Sequence, residues 1–298
     1  MATKSGFAGI YPVVYTLFDA DGHLSRDGSR LQVQAMLRSD VDGVAVLGLA
    51  SEVNKLTFAE RHQLMEWVIE DVGGAVPVAV TIVEPNVAAQ FDFARAAAVA
   101  QWVILHPPPV RSVPESELIC YFGAVAENSP LPVAIQKASE YLGVGLSPEG
   151  LLALFRTHQN VAIVKVEAGA LAIRHLYAAL EGSVDIFNGR GGIDIVDAVR
   201  AGAVGIIPGG ECFDALKAIF DDLTIPGGDA KRAARRYATL LATLVFLIVS
   251  MDTFIVYSKQ VLRERLGLVE VDQRLPVSRA TRFGLQAAHR YVAALGAL

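Results

Sequence analysis

The stretch VAIVKVEAG, Val161 to Gly169, sets a lysine and a glutamate into an otherwise apolar run. Strand periodicity is two, so Ile163, Lys165 and Glu167 share one face. If that face is walled by low-dielectric groups, burial disfavours an ammonium and leaves more neutral amine. A neutral amine can attack a carbonyl and form a Schiff base. A buried lysine is tolerated where it is paired, neutral or chemically used. A purely structural Lys–Glu pair, or an outward lysine reaching solvent, therefore stays open from the pattern alone.

Other chemistries find less in the chain. His23, His62, His106, His158, His175 and His289 are scattered, and only His106 ends a strand-like run. Metal-dependent chemistry needs several convergent imidazoles or carboxylates, so neither a metal nor another cofactor is expected. No G-x-S-x-G occurs, which leaves a serine hydrolase unsupported. The NGRGG turn, 188–192, could cradle a phosphate or be simple turn chemistry.

The elements that must position these groups alternate along the chain. Apolar strand-like runs fall at 9–18, 43–48, 77–83, 102–107, 132–136, 161–167, 184–189 and 205–209. Amphipathic stretches such as 57–72 and 86–100 lie between them. Near-continuous apolar runs are what a parallel sheet covered on both faces requires. The expected fold is α/β, a (β/α)8 TIM barrel over 1–228. Residues 229–298 are expected to add C-terminal helices to the same compact unit. A doubly wound open sheet is the structural alternative, but no G-x-G-x-x-G follows the first run. In such a barrel the site lies at the strand C-termini, where Ser51, Glu52, Glu84, His106, Gln136 and Lys137 fall.

Composition narrows the class. Of 298 residues, 53% are hydrophobic and 19% charged, with a formal net charge of −5, so a large core is available. No sustained basic run points to nucleic acid. Two cysteines give no disulfide framework, and MATKSGFAG lacks the apolar core of a signal peptide, so a reducing cytoplasm is expected. The uncharged run YATLLATLVFLIVSM, 237–251, falls short of the ~20 residues of a membrane span. It suits core packing or a subunit interface.

Taken together, the motifs resemble the dihydrodipicolinate synthase/N-acetylneuraminate lyase family of class I aldolases over nearly the whole chain. GLASEVNKLTFAER (48–61), PVAIQKASEYLGVGLSPEGL (132–151), VAIVKVEAG, and NGRGG followed by RAGAVGIIPGG (200–210) carry the resemblance, in order. It implies a homotetramer, a dimer of dimers, acting on a small 2-oxo acid such as pyruvate, with Lys165 as Schiff-base nucleophile. It also implies that the turn through Leu49, Ala50 and Ser51 binds the keto-acid carboxylate through backbone amides, and that Gly189 and Ile207 line the pocket.

Departures from the family pattern bear on activity. The family's strand-five tyrosine, a proton shuttle, aligns with Gln136. Two relay threonines align with Leu49 and Ala50, and an arginine that binds a second carboxylate aligns with Tyr141. The aromatic pair after strand four is replaced by HPPP, 106–109. An amide does not titrate near neutral pH and cannot act as general acid or base. The proton is then expected from Glu167, Lys137, His106 or a substrate-bound water, and true dihydrodipicolinate synthase activity is not expected. Two functions follow: a Schiff-base lyase, either aldolase or hydro-lyase, or a keto-acid-binding barrel that has lost turnover and senses or regulates.

Overall fold

The structure is a computed structural model that describes residues 5–110, 112–268 and 273–298. The first four residues of the MATKSGFAG stretch lie outside the described residues. Eight parallel strands form one sheet: β1 (Gly9–Ile10), β2 (Val44–Val46), β3 (Val78–Ile82), β4 (Trp102–Leu105), β5 (Val133–Lys137), β6 (Val161–Val166), β7 (Asp185–Asn188) and β8 (Gly205–Ile206). From β2 to β8 each strand pairs with the next, and β1 pairs with β8. Between β1 and β2 the seam closes irregularly. Val13 bridges Ala45, and Ala45 N–H donates to the Pro12 carbonyl. The expected strand over 9–18 is thus cut to two regular residues, because Pro12 has no N–H to give to a ladder.

Twelve helices surround the sheet among the described residues. They are α1 (Arg26–Arg38), α2 (Phe58–Val72), α3 (Val87–Ala96), α4 (Glu115–Asn128), α5 (Ser139–Leu142), α6 (Pro148–Thr157), α7 (Ala170–Ala179), α8 (Ile195–Ala201), α9 (Phe213–Thr224), α10 (Ala230–Leu247), α11 (Met251–Leu266) and α12 (Arg282–Leu295). Their starts are written in the sequence. Thr57 and Glu60 form a reciprocal capping box at α2, and Ser147 caps α6 with Pro148 at its first position. The uncharged 237–251 run is interrupted. It ends α10, breaks at 248–250, and starts α11 with Ser250 as its cap. Leu240, Leu244 and Leu247 are buried while Val245 and Val249 are exposed, so the run is one-sided. Among the described residues no helix is long and apolar enough to cross a membrane.

Strand alternation sorts side chains into two layers. Val164, Val166 and Ile135 face the helices, whereas Ile163, Ala134 and Phe187 fill the barrel interior. The interior floor is aromatic: Tyr11, Trp102 and Phe187 sit with ring centroids 5.3–5.5 Å apart. On β6 the register against β5 slips by one, Val133 facing Val161 but Ala134 facing Ile163. The extra residue, Ala162, is a bulge that resets which side chains of β6 point inward. Beyond it, Ile163 and Lys165 share the interior face above an apolar plug.

Candidate active site

Lys165 is 3% exposed, and its Nζ lies 3.1 Å from Glu167 Oε1. Its register partner on β5 is Gln136, which is also buried. Gln136 Nε2 stands 3.5 Å from the same Glu167 oxygen, the outer limit of a hydrogen bond, and its own Oε1 has no partner. Glu167 Oε2 accepts the backbone N–H of Arg190 at 2.6 Å. The carboxylate is therefore held from three sides, by an amine, an amide and a main-chain donor.

The strand-seven turn explains that grip. Asn188 donates its amide to the carbonyls of Val166 and Ala168, tying off the end of β6. A side chain at Gly189 would overlap the Glu167 carboxylate, so the glycine leaves that carboxylate its place. Arg190 follows in the left-handed region at φ 50°, which costs a non-glycine residue roughly 1 kcal/mol. That conformation aims its N–H at Glu167. The N–H groups of Gly189 and Gly192 are already used within the barrel, on Val166 and Gly189 carbonyls. These three amides serve Glu167, the end of β6 and the turn itself, which leaves none of them for a phosphate.

Lys165 and Glu167 open into a cavity of about 40 Å³ walled by Leu49, Ala50, Tyr141, Arg190, Ile207 and Phe254. A water takes roughly 10–15 Å³ by this measure, so the space suits a fragment of a few heavy atoms. Leu49 and Ala50 open a single 3₁₀ turn, so their N–H groups have no carbonyl within it, and Gly48 supplies no side-chain cap. Ser51 is different. Its hydroxyl donates to the Val14 carbonyl and its N–H to Gly48, and it is not among the cavity walls. Ser51, expected to offer an amide to the substrate carboxylate, spends its N–H on Gly48 and its hydroxyl on β1's extension; Gly189, expected at the pocket, makes room for Glu167. Tyr141 does line it, half in solvent. Burial pushes its phenol up, assisted by Glu167 and opposed by Arg190.

Two of the expected proton donors are displaced. His106 is buried against the Lys165 charge, and burial above all drives its imidazole down to about 3. It also stands outside the walls of the Lys165 cavity. Lys137 donates to the Leu146 carbonyl at 2.6 Å, outside the cavity walls, and burial lowers its ammonium. Glu84, at the end of β3, is taken by a two-pronged Arg61 contact at 2.9 Å on each oxygen.

Several residues at the cavity escape sequence reasoning. Ile248, Met251 and Phe254 close the cavity from α10 and α11, elements legible only as apolar runs. Arg190 was hidden inside a glycine turn. A second cavity of about 850 Å³ adjoins the first, sharing Leu49 and Met251 as walls. Its charged residues are matched internally, Arg61 with Glu84, Glu52 with Lys55, and Asp252 with Ser278. Behind the cavity, against Gly209, the Tyr15 hydroxyl donates to Glu211, whose fully buried carboxyl is pushed up to about 7.

A profile of the Dihydrodipicolinate synthetase family matches residues 6–295. An L-2-keto-3-deoxyarabonate dehydratase from Azospirillum brasilense is 30% identical over 226 residues, covering 72% of this chain and 71% of that protein. A 4-hydroxy-tetrahydrodipicolinate synthase from Stenotrophomonas maltophilia (strain R551-3) is 30% identical over 204 residues, 67% of this chain and 68% of the other. The crystal structure of YagE, a prophage protein of Escherichia coli K12 solved with pyruvate, superposes with a TM-score of 0.87 over 97% of this chain and 99% of that one. At 23% identity this last likeness speaks to the fold.

Proposed function

The chain belongs to the Dihydrodipicolinate synthetase family and is an enzyme of its class I lyase type; from that premise we propose how its own residues act. The substrate is a 2-oxo acid, pyruvate or a related compound. Lys165 attacks the keto carbon, and Glu167 takes the proton that the amine must lose. The observation carrying this is the buried Lys165–Glu167 pair, 3.1 Å apart, facing a cavity at the barrel mouth.

The steps balance on these two groups. After Glu167 has taken one proton, the Lys165 nitrogen bonds to C2 and passes a second proton to the carbonyl oxygen, which becomes a hydroxyl; that hydroxyl leaves as water with the proton returned by Glu167. The resulting iminium withdraws electrons from C3. Glu167, again a carboxylate, removes a C3 proton to give an enamine, or receives one when the reaction runs the other way. The N–H groups of Leu49 and Ala50 hold the substrate carboxylate, electrostatic stabilisation that needs no side chain. Ile207 and Tyr141 wall the pocket, and Gln136 orients Glu167 without exchanging protons.

A dehydration is favoured over dihydrodipicolinate synthesis, because the proton-relay tyrosine is replaced by Gln136 and the carboxylate beside the amine remains. The name of the A. brasilense relative, a dehydratase, supports the same side. The C-terminal helices, 229–298, belong to the same working unit, since Met251 and Phe254 complete the cavity wall. A homotetramer in a reducing cytoplasm is part of this proposal. The exposed Val245 and Val249 supply apolar surface for it, and sedimentation showing only monomer would remove it.

The test is borohydride trapping with pyruvate followed by peptide mapping. An adduct on Lys165 is expected; no adduct, or one on another lysine, overturns the mechanism. Gln136, Leu49 and Ala50 lack titrating hydroxyls, which favours the sensing alternative in one outcome alone. That outcome is trapping on Lys165 with no turnover of any 2-keto-3-deoxy acid.

A further inference from the structure

We propose that Arg190 is the specificity residue of this site, and that it selects a 2-oxo acid carrying a second anionic group at its far end. This rests on the keto-acid reading above and goes beyond it in naming the substrate class. The guanidinium lines the same cavity as Lys165. Its NH1 is engaged by Asp194 at 2.9 Å, but its Nε is buried and has no hydrogen-bond partner. An unmatched donor on a guanidinium is costly unless something accepts from it, and the Nε side of the fork suits a carboxylate.

Position separates this group from the one that reads the first carboxylate. The N–H groups of Leu49 and Ala50 come from the turn after β2, whereas Arg190 comes from the turn after β7. The carboxylate attached to the imine carbon lies one bond from the Lys165 adduct and needs only the first of these. Arg190's side chain is 29% exposed, so it stands at the outer rim, where the distal end of a longer acid emerges. Tyr141 lines the same rim and adds a hydroxyl.

Backbone geometry adds an independent reason. Position 190 is left-handed in a run where glycine occupies 189, 191 and 192, yet it carries the longest cationic side chain. Glycine would hold Glu167 equally well through its N–H. Keeping an arginine there against the local strain points to a use for the guanidinium itself. In the adjoining larger cavity the charged groups are already matched, so that chamber offers no comparable anion receptor.

The experiment compares 2-oxoglutarate with 2-oxobutyrate, two acids differing in the distal carboxylate. Half-saturation is read by borohydride trapping in the full chain, with Arg190→Gly and Arg190→Lys beside it. The wild type is expected to prefer the diacid by tenfold or more. Arg190→Gly, which keeps the N–H and suits the left-handed backbone, should bring the ratio of the two affinities to about one. Arg190→Lys should restore part of it. A wild type with no diacid preference overturns the proposal, as does a glycine variant whose affinity ratio is unchanged. Thermal shifts by the two acids are also measured in Lys165→Ala, with and without Arg190→Gly. A diacid preference there that depends on Arg190 survives even if trapping fails, so the two proposals fall separately.

Discussion

Among the described residues, the Lys165–Glu167 and Lys259–Glu52 pairs are both buried, and they are built for opposite ends. Lys259, on α11, meets Glu52 with both side chains fully enclosed, and Lys55 takes the other Glu52 oxygen. The Phe18 ring lies 5.4 Å from the Lys259 amine, and that amine lines neither of the two cavities. Burial lowers the Lys259 ammonium while Glu52 opposes it. Lys165 and Glu167 are nearly as deep, but they face open volume, and the carboxylate's second oxygen is fixed by a main-chain N–H. Burial and pairing are common to both. Access to a reactant, and a carboxylate positioned by backbone rather than by further cations, belong to one.

The sharpest break of that comparison is a pair of alanine variants. Lys165→Ala should abolish the pyruvate–borohydride adduct, at least a thousandfold below wild type. Lys259→Ala should still form it, on the Lys165 peptide. A loss of adduct in both variants would mean that the second pair is not merely structural. Next in size is Glu167→Gln, which keeps shape and removes the titrating group. Exchange of the pyruvate methyl protons with solvent deuterium, followed by NMR, should slow by about 10²–10⁴, the usual worth of a positioned acid–base group. Exchange at the wild-type rate would return Glu167 to a passive counter-ion.

Lys259→Ala has its own expected cost, paid in stability. Removing one member of a buried pair typically destabilises by about 3–5 kcal/mol. Glu52 keeps Lys55, so the low end is expected, read as a fall of roughly 5–10 °C in Tm. An unchanged melting temperature would make the enclosed pair energetically neutral and weaken the contrast with the reactive one.

How far this was legible in the sequence differs between the same two regions. VAIVKVEAG announces its charges because they interrupt a strand whose neighbours are all apolar, and period two puts both on one face. Lys259 sits in a helix where lysine is ordinary, so nothing in YSKQVL marks it as enclosed. The eight strands were legible as apolar runs, apart from the first, which Pro12 breaks. Motif position does not tell whether an amide or a hydroxyl is spent internally, as both are at Ser51. Arg190 and Phe254 were missed because a turn conformation and a helix packing angle are tertiary facts. His106 stood at a strand end as expected, but its depth, and hence its loss of basicity, was invisible.

The smallest effect concerns the carboxyl behind the site and gives a third buried acid to set against Glu52 and Glu167. Glu211 has no lysine partner; it accepts from the Tyr15 hydroxyl, and burial raises it from 4.5 to about 7. Between those values the folded chain holds a proton that the unfolded chain has released. Stability from this group is therefore complete below about pH 4.5 and is lost as pH rises through 7. The shift corresponds to roughly 3 kcal/mol at most, since each unit is about 1.4 kcal/mol. Glu211→Gln, neutral at every pH and still able to accept from Tyr15, should erase the loss. Melting curves of wild type and variant should converge near pH 5 and separate by pH 8, with the variant the more stable. Parallel curves across that range would mean that Glu211 is charged in the fold throughout. The Tyr15 phenol alone would then hold that charge, where Glu52 has two lysines beside it.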